Sequence, residues 1–249
     1  MAEFNNPMMK LTQDFLPEYT EDIQEMMKGI EILSNPPEIH VGRTPSEVVY
    51  SENGIKLLHY RQPDPDAHKE PILMVYALVN KPYILDLQPN RSVIGNLLKQ
   101  GFDIYLIDWG EPDEKDMYMS MDDYINYFID LFVDKIRKET NHEKINILGY
   151  CQGGTFSAIY TALHKEKVKN LILMAAPLVT KHEAGMLNRW AKKEYFDPEK
   201  VVNVFGNVPA EFLNGGFLLL DPVGNLIGKY LKFFEKADNE DFVKMFLRM

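Results

Sequence analysis

An α/β fold with a mostly parallel sheet is predicted for this chain of 249 residues by three features. Apolar, β-branched runs alternate with amphipathic stretches between Ile72 and Pro177. One run, Ile145 to Leu148, leads through a small-x-Cys-x-small turn into a helical segment, INILGYCQGGT. The alternation then ceases after Pro177, where apolar clusters are broken by prolines and paired glycines.

In chain order, Pro17 to Ser34 places Ile23, Met26, Met27, Ile30 and Leu33 at spacings of three and four, which predicts an amphipathic covering helix. Residues 47–60 read as a β-hairpin, because Asn53-Gly54 between two apolar runs suits a type I′ turn. Arg61 to Glu70 is a polar loop with prolines. Ile72 to Leu78 is uniformly apolar, as a strand buried on both faces requires, and Ser92 to Gln100 is a short helix stopped by Gly101. Phe102 to Asp108 is the next strand. Ser120 and Asp123 form a capping box for a helix reaching Thr140, with Tyr124, Phe128, Phe132 and Ile136 as its buried stripe. Lys144 to Tyr150 is a strand, Gln152 to His164 its helix, and Leu171 to Ala175 a further strand. These elements set expected domains: an N-terminal helix and extension (1–46), an α/β core (47–179) and a partial helical cap (180–249).

Composition narrows the function classes. A formal charge of -10 argues against a nucleic-acid partner or a polybasic membrane patch. The longest apolar runs fall far short of the roughly 18 to 20 residues of a membrane span. A single cysteine allows no internal disulfide, and the opening MAEFNNPMMK has no leader pattern, so a cytoplasmic location is expected. One Cys and six scattered His offer no zinc spacing, so no metal and no cofactor is expected.

The turn Gly149-Tyr150-Cys151-Gln152-Gly153 has the form of a nucleophile elbow, in which flanking glycines are needed because a Cβ would collide with a neighbouring element. A lone cysteine is ordinarily a small buried hydrophobe. Between a strand and a helix, inside GYCQGG, Cys151 reads as the nucleophile. The thiolate is the attacking species, so Cys151 needs a helix N-terminus or a base, and Gln152 begins such a helix. The backbone N–H of Gln152 is one expected oxyanion donor, and the loop after the earlier strand supplies the second, at Val79 or Asn80, with Val79 preferred. No base stands out. His142 and His164 fall at the far end of the sheet, His40, His59 and His68 lie around the hairpin, and His182 reads as a solvated loop residue. Asp108 ends a strand on the elbow side but equally suits a turn before Trp109 and Gly110.

These residues resemble the poly(3-hydroxyalkanoate) synthases, in particular the short catalytic subunits of the two-component (class III or IV) kind. The matches are GYCQGG around Cys151, YALVNKPYILDLQPNRSV from Tyr76, GFDIYLIDWG from Gly101 and FGNVPAEFLN from Phe205, in family order across most of the chain. The resemblance implies an α/β-hydrolase fold and polymerisation of 3-hydroxyacyl-CoA. Cys151 would take the acyl group as a thioester, release CoA and pass the unit to the 3-hydroxyl end of the growing polyester. It further implies a second synthase subunit and a place at the surface of polyester granules. An apolar cap that keeps water from the thioester is expected, and the Leu and Phe clusters of the tail suit it. Lys181, Arg189, Lys192 and Lys193 could meet CoA phosphates, although the acids among them favour a solvated helix face.

Family members run on beyond the matched part, and their additional C-terminal region carries the catalytic Asp, the catalytic His and the last strands. The resemblance therefore implies a truncated chain, inactive alone, whose sheet is incomplete at its C-terminal strands and ends in an exposed apolar edge. Two other functions fit the same elbow: a cysteine esterase or lactonase, and a catalytically silent protein that binds granules or a partner.

Overall fold

The structure, a computed structural model, describes residues 20–38, 40–61, 64, 70–178 and 186–248. Its described part falls into two compact units, residues 41–214 and residues 20–40 with 215–248. Helix α1 (Thr20–Ser34) opens the chain and is followed by strands β1 (Glu47–Glu52) and β2 (Ile55–Tyr60). Asn53 and Gly54 between them take φ of 52° and 82°, the two left-handed residues that a type I′ turn demands. Most of the loop expected at Arg61 to Glu70 lies outside the described residues.

Strand β3 (Pro71–Val75) is buried at every position. A 3₁₀ turn (Pro82–Leu85) and a small antiparallel ribbon, β4 (Asp86–Gln88) with β5 (Arg91–Ser92), occupy a stretch whose sequence pattern assigns no element. Helix α2 (Val93–Lys99) begins at Ser92, whose Oγ accepts from the Gly95 N–H at 2.7 Å. Strand β6 (Asp103–Asp108) follows. The predicted Ser120–Asp123 box is present: the Ser120 N–H donates to Asp123 Oδ2 at 2.7 Å and the Asp123 N–H to Ser120 Oγ at 3.3 Å. A π-helical segment (Asp123–Ile129) precedes α3 (Asp130–Thr140), a widening of the helix that the spacing of apolar residues does not reveal. Phe128, Phe132 and Ile136 of the predicted stripe are buried, and Tyr124 is half-buried.

Strand β7 (Ile145–Tyr150) leads into α4 (Gln152–Leu163), and β8 (Val168–Met174) begins three residues earlier than its apolar core suggests. The sheet order is β1-β2-β6-β3-β7-β8. Strands β6, β3, β7 and β8 run parallel, while the hairpin joins antiparallel through β2 and β6. The core fills both faces around β3 and β6, with Leu73, Met74, Ile104 and Leu106 wholly buried. Edge strand β8 differs: Ile172 and Leu173 are 43% and 39% exposed.

Beyond β8 the described elements are helices: α5 (Met186–Trp190), α6 (Pro198–Phe205) and α7 (Ala210–Leu220). A π-helical turn (Gly224–Gly228) then leads to α8 (Lys229–Phe234) and α9 (Glu240–Arg248). The Phe and Leu clusters of this tail stay at the surface; Phe205, Phe212, Phe217, Leu218 and Leu219 are all exposed. In the second unit, α1 packs with α8 through Gly29, where an added Cβ would lie 2.4 Å from the Phe234 ring. The packing face overlaps the predicted stripe only in part: Ile23 and Met27 are half-buried, as are Glu25 and Ile32 outside it, while Met26, Ile30 and Leu33 are exposed. No helix among the described residues is long and apolar enough to cross a membrane.

Candidate active site

The elbow has the geometry its sequence requires. Cys151 holds φ 53° and ψ -127°, a conformation that costs a non-glycine residue about 1–3 kcal/mol. The surrounding bonds fix it there: its N–H donates to the Met174 carbonyl at 2.9 Å, and its carbonyl accepts from the Gly154 N–H at 2.9 Å. The three glycines are sites of contact. An added Cβ at Gly149 would meet Gly154 Cα at 2.5 Å, one at Gly153 would meet the Val75 carbonyl oxygen at 2.2 Å, and one at Gly154 would meet Ala176 Cβ at 2.5 Å. Strand β3, strand β7 and the chain after β8 thus converge on the first turn of α4, leaving Cys151 partly exposed at the corner.

Above that turn runs the loop Tyr76 to Asn80, fixed at several points. The Trp109 indole N–H donates to the Tyr76 carbonyl at 3.0 Å, and the Asn80 N–H donates to the Ala77 carbonyl at 3.2 Å. The Leu78 N–H donates to the side-chain Oε1 of Gln152 at 3.1 Å. Of the two donors weighed from sequence, Asn80 is therefore spent within its own turn. The N–H groups of Val79, Gln152 and Gly153 have no hydrogen-bond partner among the described residues. Gln152 and Gly153 stand directly after Cys151 at the start of α4, and N–H donors without acceptors there can receive developing negative charge.

The acids and histidines stand elsewhere. Asp108 ends β6 on the elbow side, but its Oδ1 accepts from the Gly110 N–H at 3.0 Å and lies 3.5 Å from the Tyr76 hydroxyl, so it serves the turn. Burial, reinforced by the Asp108 charge, pushes the Tyr76 phenol above its ordinary range and keeps it a donor. His142, before the start of β7, bonds the Thr140 carbonyl at 2.9 Å, and His164, after α4, meets Asn126 at 3.1 Å. Buried His59 holds Asp103 at 2.7 Å and stacks on Tyr105, at the opening end of β6. All three lie at the opposite end of the parallel strands from Cys151. His40 pairs with Glu38 in the second unit, and His68, His182 and Lys181 lie outside the described residues. Arg189, Lys192 and Lys193 are exposed, as a solvated face requires. An open groove of about 370 Å³, lined by Leu85, Arg91, Val93, Asn96, Tyr150 and Met174, runs beside the elbow on the α2 face; Cys151 does not line it.

Sequence reasoning missed the side chain of Gln152 and the indole of Trp109, because each acts on a backbone group distant in the chain. Only the position of Gln152 directly after the cysteine marks it out.

The model of the alpha/beta hydrolase fold matches residues 70–244. With the parallel sheet and the strained corner, that match defines an α/β-hydrolase-fold protein carrying cysteine at the elbow. The model of the poly-beta-hydroxybutyrate polymerase (PhaC) N-terminus matches residues 14–97. The poly(3-hydroxyalkanoate) polymerase subunit PhaC of Haloferax mediterranei is 54% identical over 85% of this chain, and that of Allochromatium vinosum is 43% identical over 96%. The chain belongs to the poly(3-hydroxyalkanoate) polymerase family. It spans 43% of the length of the first of these relatives and 66% of the second. Among solved structures, a carboxylesterase of Nitrososphaera gargenis covers 82% of this chain and 70% of its own, at 20% identity and a TM-score of 0.44.

Proposed function

We propose that this chain carries the nucleophile half of a polyester-forming acyl transferase. Cys151 attacks the carbonyl of a 3-hydroxyacyl-CoA thioester, the N–H groups of Gln152 and Val79 receive the oxyanion, and CoA leaves as its thiolate. The 3-hydroxyl end of the polyester then attacks the acyl-cysteine, returning the sulfur. Exchange of one thioester for another changes the free energy little, which suits a cysteine better than a serine at this step. The observation that carries the reading is the strained Cys151 corner facing unpartnered N–H groups at the start of α4.

The base that deprotonates the incoming hydroxyl, and the acid that orients it, come from residues beyond the matched part of the longer relatives. An apolar shield for the thioester, a second synthase subunit and the granule surface are what this function calls for. The test is CoA release and polymer formation from 3-hydroxybutyryl-CoA by the chain extended to the length of its Allochromatium vinosum relative. Cys151→Ala is expected to remove activity by a factor of about 10³ or more. The 249-residue chain alone is expected to show no sustained turnover. Unchanged activity in the Cys151→Ala variant, or full turnover by the short chain, would overturn the respective half of the proposal.

A further inference from the structure

Resting on that reading of Cys151, we infer that the side chain of Gln152 is a positioning residue: its amide oxygen holds the loop after β3 so that the Val79 N–H faces the sulfur. The hydrogen bond from the Leu78 N–H to Gln152 Oε1, 3.1 Å, joins residues 74 apart in the chain and ties the loop directly to the elbow. Its position in the loop is what matters. Tyr76 is held through its carbonyl by Trp109, and Asn80 is turned back onto Ala77, so the loop is closed on both sides of Leu78 and Val79. Leu78 and Val79 themselves are 36% and 39% exposed, at the border of solvent. Without the Gln152 amide, Leu78 would turn toward water and carry the neighbouring Val79 N–H with it. Gln152 thereby couples two donors: its own N–H and, through its side chain, that of Val79. A misplacement of about 1 Å in such a donor can slow a reaction by a factor approaching 10².

The experiment separates reactions that need an oxyanion from those that do not. With p-nitrophenyl acetate, the thiolate of Cys151 forms a C–S bond to the ester carbonyl, whose π pair moves onto oxygen. Collapse of that oxyanion breaks the C–O bond and releases p-nitrophenolate. With iodoacetamide, the same thiolate displaces iodide from carbon, and no oxyanion forms. Both rates are measured on the 249-residue chain, with Cys151→Ala as the blank, and expressed as a ratio of acylation to alkylation. Gln152→Leu, which cannot accept the bond, is expected to lower the ratio about tenfold. Gln152→Glu, which keeps an oxygen at that place, is expected to hold it within about threefold of the parent. A ratio unchanged in the Leu variant, or equally low in the Glu variant, would overturn the inference.

Amide hydrogen exchange provides a readout independent of acylation. Leu78 is expected to be protected in the parent chain and in Gln152→Glu but not in Gln152→Leu; a freely exchanging Leu78 in the parent overturns the tether. If the parent chain is alkylated but never acylated, the nucleophile reading falls, and Leu78 protection still decides whether the tether exists.

Discussion

Strands β7 and β8 lie side by side, run parallel and meet at the elbow, yet their surroundings are opposite. Ile145 to Gly149 of β7 is wholly buried, with β3 on one side and β8 on the other. Of β8 only Val168 is buried, and the edge beyond it is unpaired among the described residues. Cys151 depends on both. Its helix is pressed against the carbonyls of Val75 and Tyr76 on the buried side, while its own N–H bonds to Met174 at the end of the edge strand. A core strand is thus enough to shape the corner, whereas the corner's outer support rests on an edge that parallel sheets normally cover.

The largest expected effect lies on the buried side. Gly153→Ala puts a methyl group 2.2 Å from a backbone oxygen that cannot move without breaking β3, and a loss of about 3 kcal/mol or more is expected in urea unfolding. Gly215 in α7 has open space around it, so the same change there is expected to stabilise by about 0.5–1 kcal/mol. Equal midpoints for the two variants would erase the distinction. Next, Ile147→Ala in β7 should cost about 2–5 kcal/mol, since that side chain is fully buried. Ile172→Ala in β8 should stay within about 0.5 kcal/mol, and a large loss there would show that the edge is packed after all.

A smaller effect concerns how β8 is tied at its start. Lys167 Nζ, just before the strand, pairs with Asp130 at 2.7 Å and Asp134 at 2.9 Å, and the Tyr160 hydroxyl donates to Asp130 at 2.7 Å. Burial pushes the Asp130 carboxyl up, but the bonds from Lys167 and Tyr160 outweigh it and hold the group below its ordinary range. A depressed carboxylate contributes stability that is fully present above its unfolded value, near 4, and is lost as pH falls through the folded value. Asp130→Asn should therefore cost about 1–2 kcal/mol at neutral pH and flatten the loss of stability below about pH 4. An acid limb of unchanged steepness in that variant would contradict the assignment.

Much of this was legible in the residues themselves. Asn53-Gly54 announces its hairpin because both positions need positive φ, and Ile72 to Val75 announces a doubly buried strand because nothing in it is polar. GYCQGG fixes the corner, since the three glycine contacts leave no room for another side chain. The place where β3 ends was not legible. Its apolar run continues to Val79, and the strand stops at Val75 because Trp109 and Gln152 take up the next backbone groups. The centre of the packing face of α1 was hidden for a similar reason: Gly29 carries no hydrophobic signal, and its value lies in the Phe234 ring that fits against it.

That Cys151 is the group that accepts the acyl chain is tested most directly by intact-mass and peptide analysis after incubation with 3-hydroxybutyryl-CoA. One hydroxybutyryl group per chain is expected, carried by Cys151, formed without sustained CoA release and absent from Cys151→Ala. An unmodified Cys151, or the same adduct in the alanine variant, would contradict that role.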